Sequence, residues 1–221
     1  MTYVFLAGAS RGVGREVAKQ LIVNGHQVLA LLRSKQAEAD LTAMGVKVVQ
    51  GDALEADAMN QIMRDHPIEA VISTVGGLPE SSAPRVDSVG NKNLIDAATA
   101  IKAHQFILVS SIGSGNSAGA LPPNVLETLG PMLTEKAQAE EHLAKSGLTY
   151  TVIRPGGLVS EPATGKEVLT TDPMVAGSIP RAAVANLAIR CLGNDKAKNQ
   201  VFSAIDLAMQ RTEKEVEVVD L

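Results

Sequence analysis

Three glycines near the start of the chain stand at a spacing that suits the binding of a phosphate group. Gly8, Gly12 and Gly14 follow an apolar run at residues 3–6, and apolar residues then recur at helical spacing. In such a strand, turn and helix the backbone can approach a pyrophosphate, because the helix N-terminus presents unpaired N–H groups. The alternative is a glycine-rich turn that only packs the helix against the strand. The predicted turn comprises Gly8, Ser10, Arg11, Gly12, Val13 and Gly14.

The residue types after the second predicted strand distinguish two nucleotide cofactors. A site for NAD usually carries Asp or Glu about 20 residues past the first glycine, where the acid binds the ribose hydroxyls. Here Arg33 follows the strand at residues 27–32, and the next acid is Glu38. Arg11 lies within the glycine turn, and two guanidinium groups can bind one 2′-phosphate through charge-assisted hydrogen bonds. The sequence therefore favours NADP(H) over NAD(H), unless Arg33 is only a solvated residue at a strand end.

Four further segments with small or polar residues come where predicted strands end. In a parallel sheet these carboxyl ends meet at one edge, and ligands bind outside that edge at the point where the strand order reverses. We therefore expect the segments to contribute to one cofactor site. The residues assigned to it are Asp52 and Ala53 after the third strand, Thr74, Val75 and Gly76 after the fourth, Ser110 after the fifth, and Pro155, Gly156 and Gly157 after the sixth.

The order of strands and helices predicts the fold that would bring these segments together. Seven apolar or β-branched runs alternate with helical patterns over 221 residues, which is typical of a parallel sheet with right-handed crossovers. The chain is 45% apolar but only 2% aromatic, so aliphatic side chains must form the core, as suits a sheet covered on both faces. We expect an α/β fold, a Rossmann-type doubly wound parallel sheet with helices on both faces, in a single domain over residues 1–221.

Composition and charge argue against several other classes of protein. The net charge of −4 is mild, and no run of Lys or Arg suggests nucleic-acid binding. No apolar run approaches the roughly 18 residues of a membrane span, and the chain starts with a strand rather than a signal peptide. Cys191 is the single cysteine, and no Cys/His cluster has metal-ligand spacing. We therefore expect a cytoplasmic protein with no metal site and a buried, structural Cys191.

Six segments spread over nearly the whole chain carry a resemblance to a known family: residues 8–14, 51–52, 86–95, 109–113, 135–140 and 146–156. Through them the chain resembles the atypical, extended-like branch of the short-chain dehydrogenase/reductase superfamily. It is similar to the small NAD(P)H-binding proteins grouped with biliverdin-IXβ reductase and the nitrogen-repression-type regulators. The resemblance implies that Asp52 contacts adenine and that Pro155 and Gly156 line the nicotinamide. It also implies two catalytic residues, with Ser111 polarising a substrate carbonyl and Lys136 holding the nicotinamide ribose.

Two positions depart from that family's pattern. The branch usually spaces its glycines GxxGxxG, whereas here Arg11 stands at the middle glycine and Gly12 follows one place later. Met132 occupies the position of the family's catalytic tyrosine, four residues before Lys136, and neither of the chain's two tyrosines can replace it. General acid catalysis typically contributes about 10²- to 10⁴-fold, so a ketone would be a poor substrate. An acceptor that takes its proton from water is favoured, such as a quinone, a flavin or a bilin-like compound.

Two long segments without a regular pattern, residues 113–131 and 158–179, are predicted to cover the substrate. Their apolar residues suggest a mostly apolar pocket or lid, since long irregular segments in a compact domain are usually functional. Mobile loops without a ligand are the alternative. For the two implied catalytic residues, the alternatives are that Lys136 is a surface lysine and that Ser111 is only a strand-end hydroxyl.

The sequence therefore predicts an NADP(H)-dependent oxidoreductase that transfers hydride to a small apolar or conjugated acceptor without a tyrosine acid. The alternative is a non-catalytic NADP(H)-binding sensor or assembly factor, which the loss of the tyrosine favours. A third reading is an epimerase-like enzyme that acts on a nucleotide-linked substrate. The chain length leaves little room for a sugar-nucleotide domain in that case. Both a homodimer and a monomer remain open.

Overall fold

One mostly parallel sheet forms the centre of the protein. The structure, a computed structural model, describes residues 2–76 and 86–221, and in these residues eight strands make the main sheet. They are β1 Tyr3–Ala7, β2 Val28–Leu32, β3 Lys47–Gln50, β4 Ile68–Ser73, β5 Gln105–Val109, β6 Tyr150–Pro155, β8 Glu167–Thr170 and β10 Gln200–Asp206. Two short strands, β7 Gly157–Val159 and β9 Ser178–Pro180, pair with each other beside it.

The strand order places a crevice next to β1. The order is β3-β2-β1-β4-β5-β6-β10-β8, so the chain builds the sheet outward in opposite directions from β1. Leu6 of β1 aligns with Ala30 of β2 on one side and with Ile72 of β4 on the other. All neighbours are parallel except β8, which is antiparallel to β10. The predicted doubly wound fold is confirmed, and its strand reversal lies at the glycine turn.

Helices cover both faces of the sheet, and one large apolar cluster lies beneath the helices on each face. Helices α1, α2 and α6 pack on one face, where Val17, Leu21 and Leu187 are buried, and α3, α4 and α5 pack on the other with Met59 and Leu94. No helix of the described residues is both long and apolar enough to span a membrane. The helices are α1 Gly12–Val23, α2 Glu38–Ala43, α3 Ala56–Arg64, α4 Asn91–Ala100, α5 Pro123–Lys145 and α6 Arg181–Cys191.

The two segments predicted to be irregular contain more regular structure than the sequence pattern indicated. Residues 115–120 form a 3₁₀ helix and α5 begins at Pro123, so the second half of segment 113–131 is helical. Proline suits a first helical turn because it has no N–H to leave unpaired, whereas Pro131 inside the helix obscures the helical pattern. Segment 158–179 likewise includes β8 and parts of β7 and β9.

Candidate functional site

A cavity of about 1190 Å³ lies along the carboxyl ends of the strands. Every residue that the sequence assigned to the cofactor or to catalysis lines it, from the glycine turn to the end of β6. These residues are Gly8, Ser10, Arg11, Gly12, Val13, Gly14, Arg33, Asp52, Ala53, Thr74, Val75, Gly76, Ser110, Ser111, Lys136, Pro155, Gly156 and Gly157. The fold therefore brings segments that are up to about 150 residues apart into one site.

The glycine turn is packed too tightly for side chains at its first and third glycines. Gly8 has φ +93° and Gly12 has φ +58°, which are backbone conformations that favour glycine. A Cβ on Gly14 would lie 2.1 Å from the carbonyl oxygen of Gly8, and a Cβ on Gly8 would lie 2.4 Å from Thr74 Oγ1. The helix α1 can therefore approach β1 closely only because these positions lack side chains.

The N-terminus of α1 faces the cavity without a side-chain cap, which leaves it able to bind an anion. Arg11 occupies the N-cap position, and its side chain makes no capping hydrogen bond. The first turn of the helix contains no acidic residue. The first N–H groups of a helix have no partner within the helix, and they carry its positive dipole end. A pyrophosphate at Gly12 would meet these donors.

Two arginines stand at the opening where the second strand ends. Arg11 and Arg33 line the cavity and are exposed. Within the described parts of the chain neither side chain has a hydrogen-bond or ion-pair partner. Asp52 lies in the same wall, and its Oδ1 accepts a hydrogen bond from the Leu54 N–H at 3.0 Å. The guanidinium groups are thus available to a phosphate, whereas the carboxylate has one local donor.

Lys136 of α5 is held by a buried carboxylate that the sequence analysis did not single out. Its Nζ lies 3.0 Å from Asp87 Oδ1, and the two side chains are 11% and 3% exposed. Asn91 fixes the backbone beneath, because it accepts from Ser73 Oγ at 2.6 Å and donates to the carbonyl of Asp87 at 2.8 Å. A Cβ on Gly76 would lie 2.7 Å from the Lys136 ammonium. The ammonium therefore occupies a fixed place at the cavity wall.

The two serines after β5 have different surroundings. Ser110 is buried and donates its hydroxyl hydrogen bond to Glu140, away from any ligand. Ser111 is half-buried, and its hydroxyl contacts the carbonyl of Ile112 at 3.0 Å. Both hydroxyls thus donate within the protein, and that of Ser111, the more exposed of the two, would have to exchange its bond to Ile112 in order to donate to the carbonyl of a bound molecule. Ser110 instead ties the end of β5 to α5.

The far end of the cavity is apolar. It is formed by the segment after the 3₁₀ helix, the first turns of α5 and the chain after β6. Met132 lines this end, in the place expected for a tyrosine, and neither Tyr3 nor Tyr150 lines the cavity. The apolar residues here are Ala120, Leu121, Pro122, Val125, Leu129, Met132, Leu158 and Ala176.

Two further basic residues in the cavity wall were not predicted from the sequence. Arg181 opens α6, and its side chain lies 3.8 Å from where a Cβ on Gly12 would stand. Arg211 comes from the chain after β10. The Pro180 that precedes α6 signals a helix start, but nothing local shows that this start faces the glycine turn.

Comparison with known proteins agrees with this site. A family model described as NAD(P)H-binding matches residues 8–195. ChuY, described as an anaerobilin reductase from Escherichia coli O157:H7, superposes with a TM-score of 0.84 at 32% identity, covering 96% of this chain and all of that one. The uncharacterized sugar epimerase YhfK of Bacillus subtilis is 32% identical over 203 residues, which are 90% of this chain and 92% of that protein. The photosystem II assembly factor Ycf39 of Cyanophora paradoxa is 26% identical, covering 91% of this chain and 63% of its own length.

The fold and the site define a Rossmann-type protein of the NAD(P)H-binding class. This chain belongs to the NAD(P)H-binding family, since the family model spans most of its length. The resemblance to atypical short-chain dehydrogenase/reductases that the sequence carries is confirmed at this level.

Proposed function

We propose that the protein is an NADP(H)-dependent reductase that transfers a hydride to a conjugated, largely apolar acceptor. The observation that carries this proposal is one continuous cavity, which runs from the uncapped glycine turn to an apolar end. The nucleotide would lie along the strand ends, and the acceptor would fill the space beside Met132. The segments 113–131 and 158–179 would cover that acceptor. The similarity to a protein described as a reductase supports this reading over binding alone.

The preference for NADP(H) rests on the two arginines at the opening. Arg11 and Arg33 would bind the 2′-phosphate between them, because both guanidinium groups line the cavity and have no partner among the described residues. No carboxylate stands directly after β2 to bind the ribose hydroxyls of NAD(H) instead.

The side chains near the predicted nicotinamide would position different parts of the cofactor and the acceptor. Lys136 would hold the ribose hydroxyls, and Asp87 keeps its ammonium in place. Ser111 would orient a carbonyl of the acceptor, and Pro155 and Gly156 would form the wall behind the ring. When bound, NADPH supplies the hydride. The acceptor then takes its proton from water, since Met132 has no proton to give.

Turnover of NADPH tests the proposal. The purified protein is mixed under anaerobic conditions with NADPH and, in turn, a naphthoquinone, a flavin, biliverdin and a simple aliphatic ketone. We expect NADPH oxidation with at least one of the conjugated acceptors and little with the ketone, because the ketone needs a general acid. Ketone reduction that is as fast as reduction of the conjugated acceptors would contradict the proposed chemistry.

The cofactor preference is tested by Arg33→Ala. Losing a charge-assisted hydrogen bond costs about 1.5–3 kcal/mol, so Kd for NADPH should rise by at least tenfold while Kd for NADH stays unchanged. Isothermal titration with both nucleotides measures the two constants. Arg64→Ala removes the same charge at the end of α3, outside the cavity, and serves as the control. An equal rise in Kd for NADPH and for NADH would mean that Arg33 does not bind the 2′-phosphate.

A second candidate function is an NADP(H)-binding assembly or sensor protein without turnover. It is favoured by Met132 in place of the tyrosine and by the similarity to an assembly factor. Tight binding of NADPH, together with the absence of oxidation by every acceptor in the panel, would support it over the reductase.

A further inference from the structure

The charges that line the cavity differ from those of the chain as a whole. The chain carries a net charge of −4, yet the described residues of the cavity wall include five basic residues and a single acidic one. A wall of this kind attracts anionic ligands, because a concave, partly dry site strengthens the field of its charges. The basic residues are Arg11, Arg33, Lys136, Arg181 and Arg211, and the acidic one is Asp52.

Four of the five basic residues lie where they would bind the nucleotide. Arg11 and Arg33 lie at the adenosine end. Arg181 lies beside Gly12, where a pyrophosphate would bind, and its guanidinium donates to Ser160 Oγ at 3.0 Å. Lys136 is committed to Asp87 and, under the proposed function, to the ribose. The remaining residue, Arg211, lies beside Ser178 of β9, and β9 pairs with the chain that leaves the predicted nicotinamide wall.

Several contacts fix the place of Arg211. Its guanidinium donates to Ser178 Oγ at 3.2 Å, and its backbone N–H donates to the carbonyl of Ala176 at 2.9 Å. The same Ser178 Oγ lies 3.1 Å from where a Cβ on Gly157 would stand. The guanidinium is therefore held by a residue of β9 that pairs with Gly157, directly after the predicted nicotinamide wall.

Arg211 has no acidic partner in the described parts of the chain. Ser178 is its only side-chain hydrogen-bond partner there, so most of its five N–H donors stay available. The neighbouring Lys214, by contrast, is paired with Asp172 at 2.8 Å. A guanidinium that lines a cavity, is anchored on one side and is not neutralised can bind a carboxylate through two parallel hydrogen bonds.

We infer that Arg211 forms an anion subsite for the acceptor, so that the enzyme selects conjugated acceptors that carry a carboxylate. This inference rests on the proposed reductase function. The acceptor's apolar body would lie against Met132 and Leu158, while its carboxylate would reach Arg211 at the rim. The redox step is unchanged: the acceptor gains a hydride from NADPH and a proton from water, and the carboxylate is bound without reacting.

The test uses one acceptor in two charge states. Biliverdin carries two carboxylates, and its dimethyl ester has the same conjugated system without those charges. We expect wild-type protein to reduce the diacid with a kcat/KM at least tenfold above that for the ester, and Arg211→Ala to remove this preference while the ester rate stays the same. Arg211→Lys should recover only part of it, because an ammonium cannot make the bidentate contact.

Two controls separate this inference from other causes. Arg190→Ala removes an exposed charge from α6, outside the cavity, and should preserve the preference for the diacid. Kd for NADPH should be the same in wild type and Arg211→Ala, whereas Arg181→Ala should raise it. If Arg211→Ala lowered kcat/KM equally for the diacid and the ester, or bound NADPH more weakly, Arg211 would not be an anion subsite for the acceptor.

Binding to the complex with NADP⁺ distinguishes a failed subsite from a failed reductase. If neither compound is turned over, the proposed function fails, but calorimetry still tests the subsite. Tighter binding of the diacid than of the ester, lost in Arg211→Ala, would support an anion subsite in a non-catalytic protein. Equal binding of the two compounds to wild type would refute the subsite.

Discussion

Gly14 shows how one missing side chain sets the geometry of the cofactor turn. A Cβ at this position would meet the carbonyl oxygen of Gly8 at 2.1 Å, and a backbone atom within a buried strand-turn-helix unit cannot move aside. The same closeness brings the first N–H groups of α1 to the cavity wall. The packing of the helix and the binding of an anion thus depend on the same glycine.

The variant Gly14→Ala should therefore lose both stability and nucleotide binding. We expect destabilisation of about 3 kcal/mol, at the upper end for an overpacked site, because α1 must shift away from β1. Urea denaturation and titration with NADPH measure the two effects. Gly130→Ala is the matched control: it lies in α5 with no atom within 4 Å of the added Cβ, so the protein should become more stable. Normal NADPH affinity in Gly14→Ala would contradict this account.

The buried pair of Lys136 and Asp87 gives a second prediction. Asp87→Asn leaves the Lys136 ammonium without its counter-charge, and breaking a buried pair from one side costs about 3–5 kcal/mol. The double variant Asp87→Asn/Lys136→Met removes both charges and should be more stable than Asp87→Asn alone. Urea denaturation of the two single variants, Asp87→Asn and Lys136→Met, and of the double variant gives the free energies of unfolding for a double-mutant cycle. If the two single effects simply add, the pair does not interact as the structure shows.

At this scale the sequence was informative where a residue's role is local. Glycine spacing and the residues directly after strands predicted the positions that line the cavity, because a turn between a strand and a helix is formed by neighbours in the chain. Asp87, Arg181 and Arg211 were missed, since Asp87 meets Lys136, and the two arginines reach the cavity, only through the packing of elements that are distant in the sequence. No local pattern separates them from solvated charges.

Helix α5 connects the part of the cavity around Lys136 to the sheet. Glu140 pairs with Arg154 of β6 at 2.6 Å, both side chains are 7% exposed, and Ser110 donates to the same carboxylate. Arg154 also donates to Asn116 Oδ1 at 2.5 Å, which ties in the 3₁₀ helix. These bonds join α5, β6, the end of β5 and the 3₁₀ helix beneath the site. The position of Lys136, one turn before Glu140, thus depends on this network.

Replacing Glu140 should destabilise the packing of α5 on the sheet. Glu140→Ala leaves the buried charge of Arg154 unpaired, and we expect a loss of about 3–5 kcal/mol together with weaker NADPH binding. Glu141→Ala is the matched control, because Glu141 pairs with Lys145 on the exposed face of the same helix and an exposed pair contributes little. Guanidinium denaturation and nucleotide titration compare the two variants. Equal stability of the two would exclude a structural role for the network.

The elements also show where sequence patterns stop being informative. The parallel strands were predicted because each is a continuous buried run, such as residues 105–109. The start of α5 was not, because its first turns contain Pro131 and Gly130, which usually end a helix. None of the residues 123–132 is buried either, so burial does not mark these turns as part of the helix.

At the scale of the whole molecule, Cys191 reports on global opening. It lies at the end of α6 within the apolar cluster shared with α1, and burial raises the pKa of its thiol to about 12. Because the folded-state pKa lies above the ordinary value, the contribution to stability is fully present below about pH 9 and is lost as the pH rises toward 12.

Labelling of Cys191 at pH 8 should therefore follow unfolding. We expect almost no reaction with a disulfide reagent in the folded protein and fast reaction in urea, because only the thiolate attacks. NADPH at 100 times its Kd stabilises the folded state by about 2.7 kcal/mol and should slow labelling by about 100-fold. Cys191→Ala should lose less stability than wild type between pH 9 and 11. Rapid labelling of the folded protein would show that α6 opens locally.

The packing of α6 on α1 has a consequence for how the protein is made. Gln20 of α1 donates to the carbonyl of Ala182 at 2.9 Å, and Arg181 stands beside Gly12. During translation, residue 181 leaves the ribosome long after residue 12. Until then the apolar side of α1 that packs on α6 stays uncovered, and the cavity lacks the part of its wall that Arg181 forms beside Gly12. A nucleotide bound at the glycine turn would therefore stabilise only a chain that already includes α6, so ligand binding could assist the last steps of folding but not the first.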